Sequence, residues 1–396
     1  MKICIANGRV ITPFRTIEQG GVMIEGNKIS EVFSGDPPVS GPEIKSIDAE
    51  GMYIAPGFID MHVHGGGGSE IIDGTPEAVA AVCRTHARFG TTAIVPTVSS
   101  APWDKLLRAV YAVKEAKESC DTSAAVLGIH VEGPYFSSAQ RGAQNPDFIV
   151  LPDPRDYLKL LDSWEGIIMM GASPELPGGL ELGRELRKRG ILACIAHSDA
   201  TYDEVLLALE NGYTHITHFY SGCSMMRREH AYRIAGIVES GYLMDELTVE
   251  IIADGKHLPE SLLKLIYKVK GPVHTALVTD ATSYAGLDIE ENREVKHRDG
   301  RTLILEDGVM KLSDRSNFAG SVANTSRLVR NMVRLAEVPL IKAVEMASYT
   351  PARILKVNGH KGSLSVGKDA DVVIFDDSVN VKMTIVEGTI VHDARD

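Results

Sequence analysis

An eightfold alternation constrains the fold of this chain more than any other feature. Short apolar runs near 54–61, 91–97, 125–131, 167–172, 191–196, 213–217, 248–253 and 274–279 are each followed by a stretch with helical periodicity. Short apolar runs read as strands buried on both faces, and strands of that kind separated by helices pair in parallel. Eight such units predict an α/β fold whose body is a (β/α)8, TIM-like barrel. Reactive groups in that architecture stand at the C-terminal ends of the strands, so each strand end is a place to look for chemistry.

The two ends of the chain are written differently. Residues 1–53 carry short strand-like segments punctuated by Asn7-Gly8, Glu25-Gly26-Asn27 and a Pro/Gly/Ser stretch around Ser34–Pro42. The C-terminal stretch repeats that style, with Gly362-Ser363-Leu364, Gly367-Lys368-Asp369-Ala370-Asp371 and then Val372-Val373-Ile374-Phe375. The expectation is a small β-sandwich domain built from both termini, 1–53 with 358–396, flanking a barrel of 54–357. A chain of 396 residues, 44% of them hydrophobic, can bury both cores.

The strand ends carry a repeating choice of residue. The first run ends in His62-Val63-His64 ahead of four glycines, the third in His130-Val131-Glu132-Gly133-Pro134 and the fifth in His197-Ser198-Asp199. The sixth ends in His215-Ile216-Thr217-His218 and the eighth in Thr279-Asp280-Ala281. Side chains two apart on a strand point to one side, so His62 and His64 can converge on one ion. Taken singly, each residue has an ordinary reading: a satisfied core histidine, a carboxylate capping a loop, a turn former. Their coincidence at five strand ends points to a hydrolytic divalent metal site, for which imidazole and carboxylate are the fitting donors.

Composition narrows the partners. A formal charge of −12 offers no general attraction to nucleic acid or an anionic membrane, so an anionic substrate must be met by a local basic group. The N-terminal apolar run is too short for a signal peptide and no later run approaches a membrane span, which makes a cytoplasmic protein the expectation. Cys4, Cys83, Cys120, Cys194 and Cys223 are scattered, with no Cys-x-x-Cys pair, and read as reduced packing residues.

With these motifs in place the chain resembles the amidohydrolase superfamily, and within it the N-acetylglucosamine-6-phosphate deacetylases. The likeness runs from Ala55-Pro56-Gly57-Phe58-Ile59-Asp60 through Gly128-Ile129-His130-Val131-Glu132-Gly133-Pro134, Arg141-Gly142-Ala143, Ile252-Ala253-Asp254-Gly255-Lys256-His257 and Val278-Thr279-Asp280-Ala281 to Gly367-Lys368-Asp369-Ala370-Asp371. Many other branches carry a metal-bridging lysine after strand four, and Met169-Met170-Gly171-Ala172-Ser173-Pro174 has none. The resemblance implies Glu132, His197 and His218 as principal metal ligands, with His62 and His64 able to hold a second ion alongside Glu132. It implies one or two divalent ions per subunit, zinc or iron first, with manganese or cobalt also compatible. Asp280 matches the family's catalytic acid/base.

The same resemblance implies a phosphorylated amino sugar as the small-molecule partner, held by Gln144, Ser221, Gly222, Arg228, His257 and the loop Ala319-Gly320-Ser321-Val322. In the family the arginine and histidine reach phosphate across a subunit interface, so a homodimer is implied. Two positions depart from the pattern: Ser221-Gly222-Cys223 replaces a usual Asn-Ala-Met, and Gln144 stands where relatives often carry histidine. The activity implied is hydrolysis of the acetamide of N-acetyl-D-glucosamine 6-phosphate to D-glucosamine 6-phosphate and acetate, in amino sugar catabolism. Three alternatives stand beside it: the N-acetylgalactosamine-6-phosphate epimer, a cyclic-amide hydrolase of the same superfamily, and a non-catalytic barrel scaffold.

Overall fold

The computed structural model describes residues 2–38, 41–119 and 123–395; Cys120 and two residues of the 34–42 stretch lie outside them. Eight strand positions form the barrel: Phe58–Val63, Thr91–Val98, the broken strand Ala125–Val126 and Ile129–Glu132, Ile167–Ala172, Leu192–Ile195, Tyr213–Ile216, Thr248–Ile251 and Thr275–Leu277. Neighbours pair in parallel in that order. The ring closes between its last and first strands by the Asp280 amide on His62 O at 2.9 Å and by the hydroxyl of Thr279 on Asp60 Oδ2 at 2.5 Å.

Why these runs become strands is visible in their burial. All eight residues of Thr91–Val98 are buried, as the unalternating Thr/Ile/Val sequence requires of a strand with a helix on one face and the barrel interior on the other. Met61, Val95, Met169, Cys194, Ile252 and Val278 share one apolar cluster, and residues from so many strands meet only inside the ring. The helices bury a single stripe: in Trp103–Ser119 the buried side chains are Leu106, Ala109, Val110, Ala112, Val113 and Ala116. Helix Tyr202–Glu210 starts at a capping box, Thr201 accepting from the Glu204 amide and Glu204 from the Thr201 amide.

The terminal strands form one eight-stranded sheet, Thr389–Asp393, Val381–Val386, Val372–Phe375, Tyr53–Pro56, Lys2–Ile11, Thr16–Glu25 and Lys28–Ser34, with Ile44–Asp48 added beside Lys2–Ile11. Its two ends face each other across one apolar cluster, where Ile3, Ile5, Val22 and Ile24 meet Val372, Ile374, Met383 and Ile385. The run read as a single strand at 54–61 divides at Gly57. Tyr53–Pro56 pairs with the terminal sheet and Phe58–Val63 with the barrel. Glycine is needed there because a Cβ would lie 2.2 Å from Thr92 Oγ1. Among the described residues, no helix is long and apolar enough to cross a membrane.

Candidate active site

The strand-end histidines and carboxylates converge. Glu132 ends the third strand fully inside the wall, with its Oε1 3.0 Å from His197 Nε2 and 3.1 Å from His218 Nε2. Its Oε2 lies 3.4 Å from His64 Nε2 and 3.9 Å from His62 Nε2. Two three-residue groups thus share Glu132, one with His62 and His64 and one with His197 and His218, the ligand-capable atoms of each lying within 4.8 Å of one another. Asp280 Oδ1 sits 3.1 Å from His64 Nε2 and 3.5 Å from His62 Nε2.

The backbone bends to bring them there. His197, His218 and Asp280 take positive φ of 46°, 28° and 45°. A non-glycine residue in that region costs roughly 1–2 kcal/mol, which a strand end tolerates when its side chain is held by several partners. The turn after His218 needs the glycine that follows: Gly222 has φ 59°, and a Cβ there would lie 2.7 Å from His197 Nδ1.

The hydrogen bonds behind the histidines decide what their front atoms can do. His197 Nδ1 faces the carbonyl of Gln140 at 3.0 Å and His218 Nδ1 the carbonyl of Ser221 at 2.9 Å. A carbonyl only accepts, so both Nδ1 atoms carry hydrogen and both Nε2 atoms of the neutral rings turn lone pairs toward a carboxylate oxygen. Lone pair against lone pair at these distances needs a cation between them. His62 Nδ1 donates to Glu250 Oε1 at 2.6 Å, which turns its Nε2 lone pair toward His64 Nε2, 3.2 Å away. The donor set therefore fits one or two divalent ions, Glu132 being common to both places.

Protonation follows the same logic. Burial opposes charge on His64, yet its hydrogen bonds to Asp280 and Glu132 carry it up to about 10; burial likewise opposes charge on His218, and Glu132 carries it to about 9. Burial would raise Glu132, but the hydrogen bonds from His197 and His218 hold it well below the usual carboxylate range. His130, in the same strand-end run as Glu132, behaves otherwise: burial, with His62 beside it, pushes it down to about 3, and its ring packs edge-on to His62 at 4.8 Å.

A cavity of about 410 Å³ opens over this cluster. Of the residues expected to hold substrate, Gln144, Ser221, Gly222, His257, Ala319 and Gly320 line it, and Gln144 Nε2 donates to Glu132 Oε2 at 3.1 Å. Ser321 turns away: its hydroxyl donates to Thr279 O and its amide to Asp280 O, bracing the eighth strand end, while Val322 packs beside Leu303 and Leu305. Arg228 is exposed on the hairpin Arg227–Glu229 and Tyr232–Ile234, outside the cavity of its own chain.

Several residues that the sequence did not single out belong to the site. His297, Arg298 and Arg301, from the hairpin between strands Glu294–Lys296 and Thr302–Glu306, line the cavity. Asp254 fixes His257 by accepting from its Nδ1 at 2.8 Å. Glu250 accepts from His62; its signal was a lone carboxylate in the buried strand Thr248–Ile251.

Comparison with known proteins agrees with this geometry. The model of the amidohydrolase family matches residues 53–391. An N-acetylglucosamine-6-phosphate deacetylase of Lysinibacillus sphaericus is 30% identical over 395 residues, 98% of each chain. An N-acetylgalactosamine-6-phosphate deacetylase of Escherichia coli O157:H7 is 31% identical over 348 residues, covering 86% of this chain and 88% of the other. The crystal structure of N-acetylglucosamine-6-phosphate deacetylase from Pasteurella multocida superposes with a TM-score of 0.90 at 28% identity, over 98% of this chain and 99% of that one. A barrel of this topology, donor groups sharing one glutamate at its mouth, and a family match across most of the length place the chain in the amidohydrolase family.

Proposed function

We propose that the chain hydrolyses the acetamide of N-acetyl-D-glucosamine 6-phosphate, giving D-glucosamine 6-phosphate and acetate in amino sugar catabolism. The observation that carries this reading is Glu132 shared by two histidine pairs, with Asp280 against one of them, in a chain whose relatives bear that activity as their name. Glu132, His197 and His218 would hold the principal divalent ion, zinc or iron, and His62 and His64 with Glu132 would hold a second. A bound ion polarises the acetamide carbonyl and lowers the proton affinity of water.

Asp280 does the proton work. Its carboxylate takes the proton from water as oxygen bonds to the carbonyl carbon, and returns it to nitrogen as the C–N bond breaks, so acetate and the amine leave. Asp280 Oδ1 stands 3.1 Å from His64 Nε2, which places the acid/base beside the donor group. Gln144, Ser221, Gly222, His257, Ala319 and Gly320 orient the sugar, while Ser321 and Val322 hold that loop from behind. Arg228 serves the phosphate bound to a second copy, in a cytoplasmic homodimer whose barrels are supported by the terminal units.

A second reading is favoured by one particular: Ser221 and Gly222 line the cavity in place of the family's usual residues, and a relative of 31% identity is named for the galactosamine epimer. Acetate release from both N-acetylhexosamine 6-phosphates and from unphosphorylated N-acetylglucosamine tests the choice. The highest kcat/KM is expected on the gluco phosphate. A tenfold preference for the galacto phosphate transfers the assignment to the epimer, and turnover of a cyclic amide alone sinks both.

A further inference from the structure

We infer that Glu250 is the positioning residue that makes His62, His64 and Glu132 able to hold an ion, an inference that rests on the metal-site reading above. Glu250 lies in the middle of the seventh barrel strand, has no exposed surface and does not line the cavity. A buried carboxylate is costly unless donors meet it, and three donors converge on this one. His62 Nδ1 lies 2.6 Å from Oε1, the His218 amide 3.3 Å from the same oxygen, and His215 Nε2 3.2 Å from Oε2. Thr248 Oγ1, 2.8 Å from His215 Nδ1, anchors that second ring from behind.

This arrangement has two consequences for the cluster. First, a carboxylate at Nδ1 fixes the His62 tautomer with hydrogen on Nδ1, which leaves Nε2 as a lone pair facing His64 and Glu132. Ser99 Oγ, 3.2 Å from His64 Nδ1, is the corresponding but uncharged partner of the second histidine. Second, a single oxygen of Glu250 binds both the His62 ring and the main chain of His218, which stands at φ 28°. The residue thereby joins one donor group to the other, across three strands of the barrel. Carboxylates placed behind a ligating histidine are generally worth 10–100-fold in metal affinity. The loss expected here falls on the His62 side, because His197 and His218 keep their own carbonyl partners at Nδ1.

The test is titration of metal-stripped protein with Co2+, followed by visible absorption and by equilibrium dialysis with mass-spectrometric metal analysis. Wild type is expected to take up two equivalents. Glu250→Leu should weaken the second about 10–100-fold and leave the first within about threefold, with Glu250→Gln, which keeps a neutral acceptor, falling between. His62→Asn should remove the same equivalent, and adding Glu250→Leu to it should leave the first equivalent within about threefold, as Glu250→Leu alone does. The inference is overturned if Glu250→Leu binds both equivalents as wild type does, if it weakens both alike, or if wild type takes up only one. Should the leucine variant fail to fold, Glu250→Gln carries the test, and an unchanged second equivalent overturns the inference. A wild type that binds no divalent ion sinks the metal-site reading itself, which is a different result from bound metal that ignores Glu250.

Discussion

In the terminal sheet Lys361, 3% exposed, holds its Nζ 3.0 Å from Asp369 Oδ2, 2.9 Å from Asp371 Oδ2 and 3.0 Å from Glu387 Oε1, with Lys28 a further 2.6 Å from Asp369. At the barrel mouth a similar number of buried polar groups meets, but there His62 Nε2 faces His64 Nε2 and Glu132 Oε1 faces two imidazole nitrogens. The first cluster is complete as folded, every charge opposed by another. The second brings acceptors together and is complete only with a cation among them. The contrast separates a buried network that holds a fold from one that holds a reaction.

The largest effect should come from breaking the mouth without touching the fold. Asp280→Asn is expected to lower kcat about 10²–10⁴-fold, the usual worth of a general acid/base, with metal content unchanged by mass spectrometry. Its thermal midpoint should stay within a few degrees of wild type; a large drop would show that the mouth, too, is a structural network.

Lys361→Met tests the other half. Removing the lysine leaves Asp371 buried without its counter-charge and Asp369 with Lys28 alone, and breaking a buried pair in this way typically costs about 3–5 kcal/mol. Urea unfolding should show that loss, while KM for the acetylated sugar phosphate stays as in wild type. A changed KM with unchanged stability would reverse the division.

The smallest effect concerns pH. Burial works against the Asp369 carboxylate, but hydrogen bonds from Lys28 and Lys361 outweigh it and hold its pKa below the usual value. A depressed carboxylate contributes stability above its unfolded pKa of about 3.9, and that contribution disappears as pH falls through the folded value. The gap in thermal midpoint between wild type and Asp369→Asn should therefore be full near pH 6 and close below about pH 4. A gap constant across that range would mean that the pair contributes by packing rather than charge.

Much of the site was legible because strand ends carry their own signal. Glu132, His197, His218 and Asp280 each terminate an apolar run, and parallel pairing aims such ends at one mouth. Glu250 was illegible for the opposite reason: a carboxylate in mid-strand has no periodic meaning until the strand carrying His62 is known to stand just beyond the eighth, two places away around the ring. The hairpin bearing His297, Arg298 and Arg301 reads as a polar turn, and only its fold back over the mouth makes it part of the cavity wall. Gly57 divides what reads as one strand because the demand on it comes from Thr92, which is distant in sequence.

The sequence by itself determined the alternation of strands and helices and the residue types at the strand ends, because burial on both faces and the chemistry of ligation each leave a local mark. Tertiary structure alone decided that two histidine pairs share Glu132, that Glu250 ties them together, and that Arg228 stands outside its own cavity. Those are distances between remote parts of the chain, set by the closure of the barrel and the turns at its mouth, and no local pattern of residues encodes them.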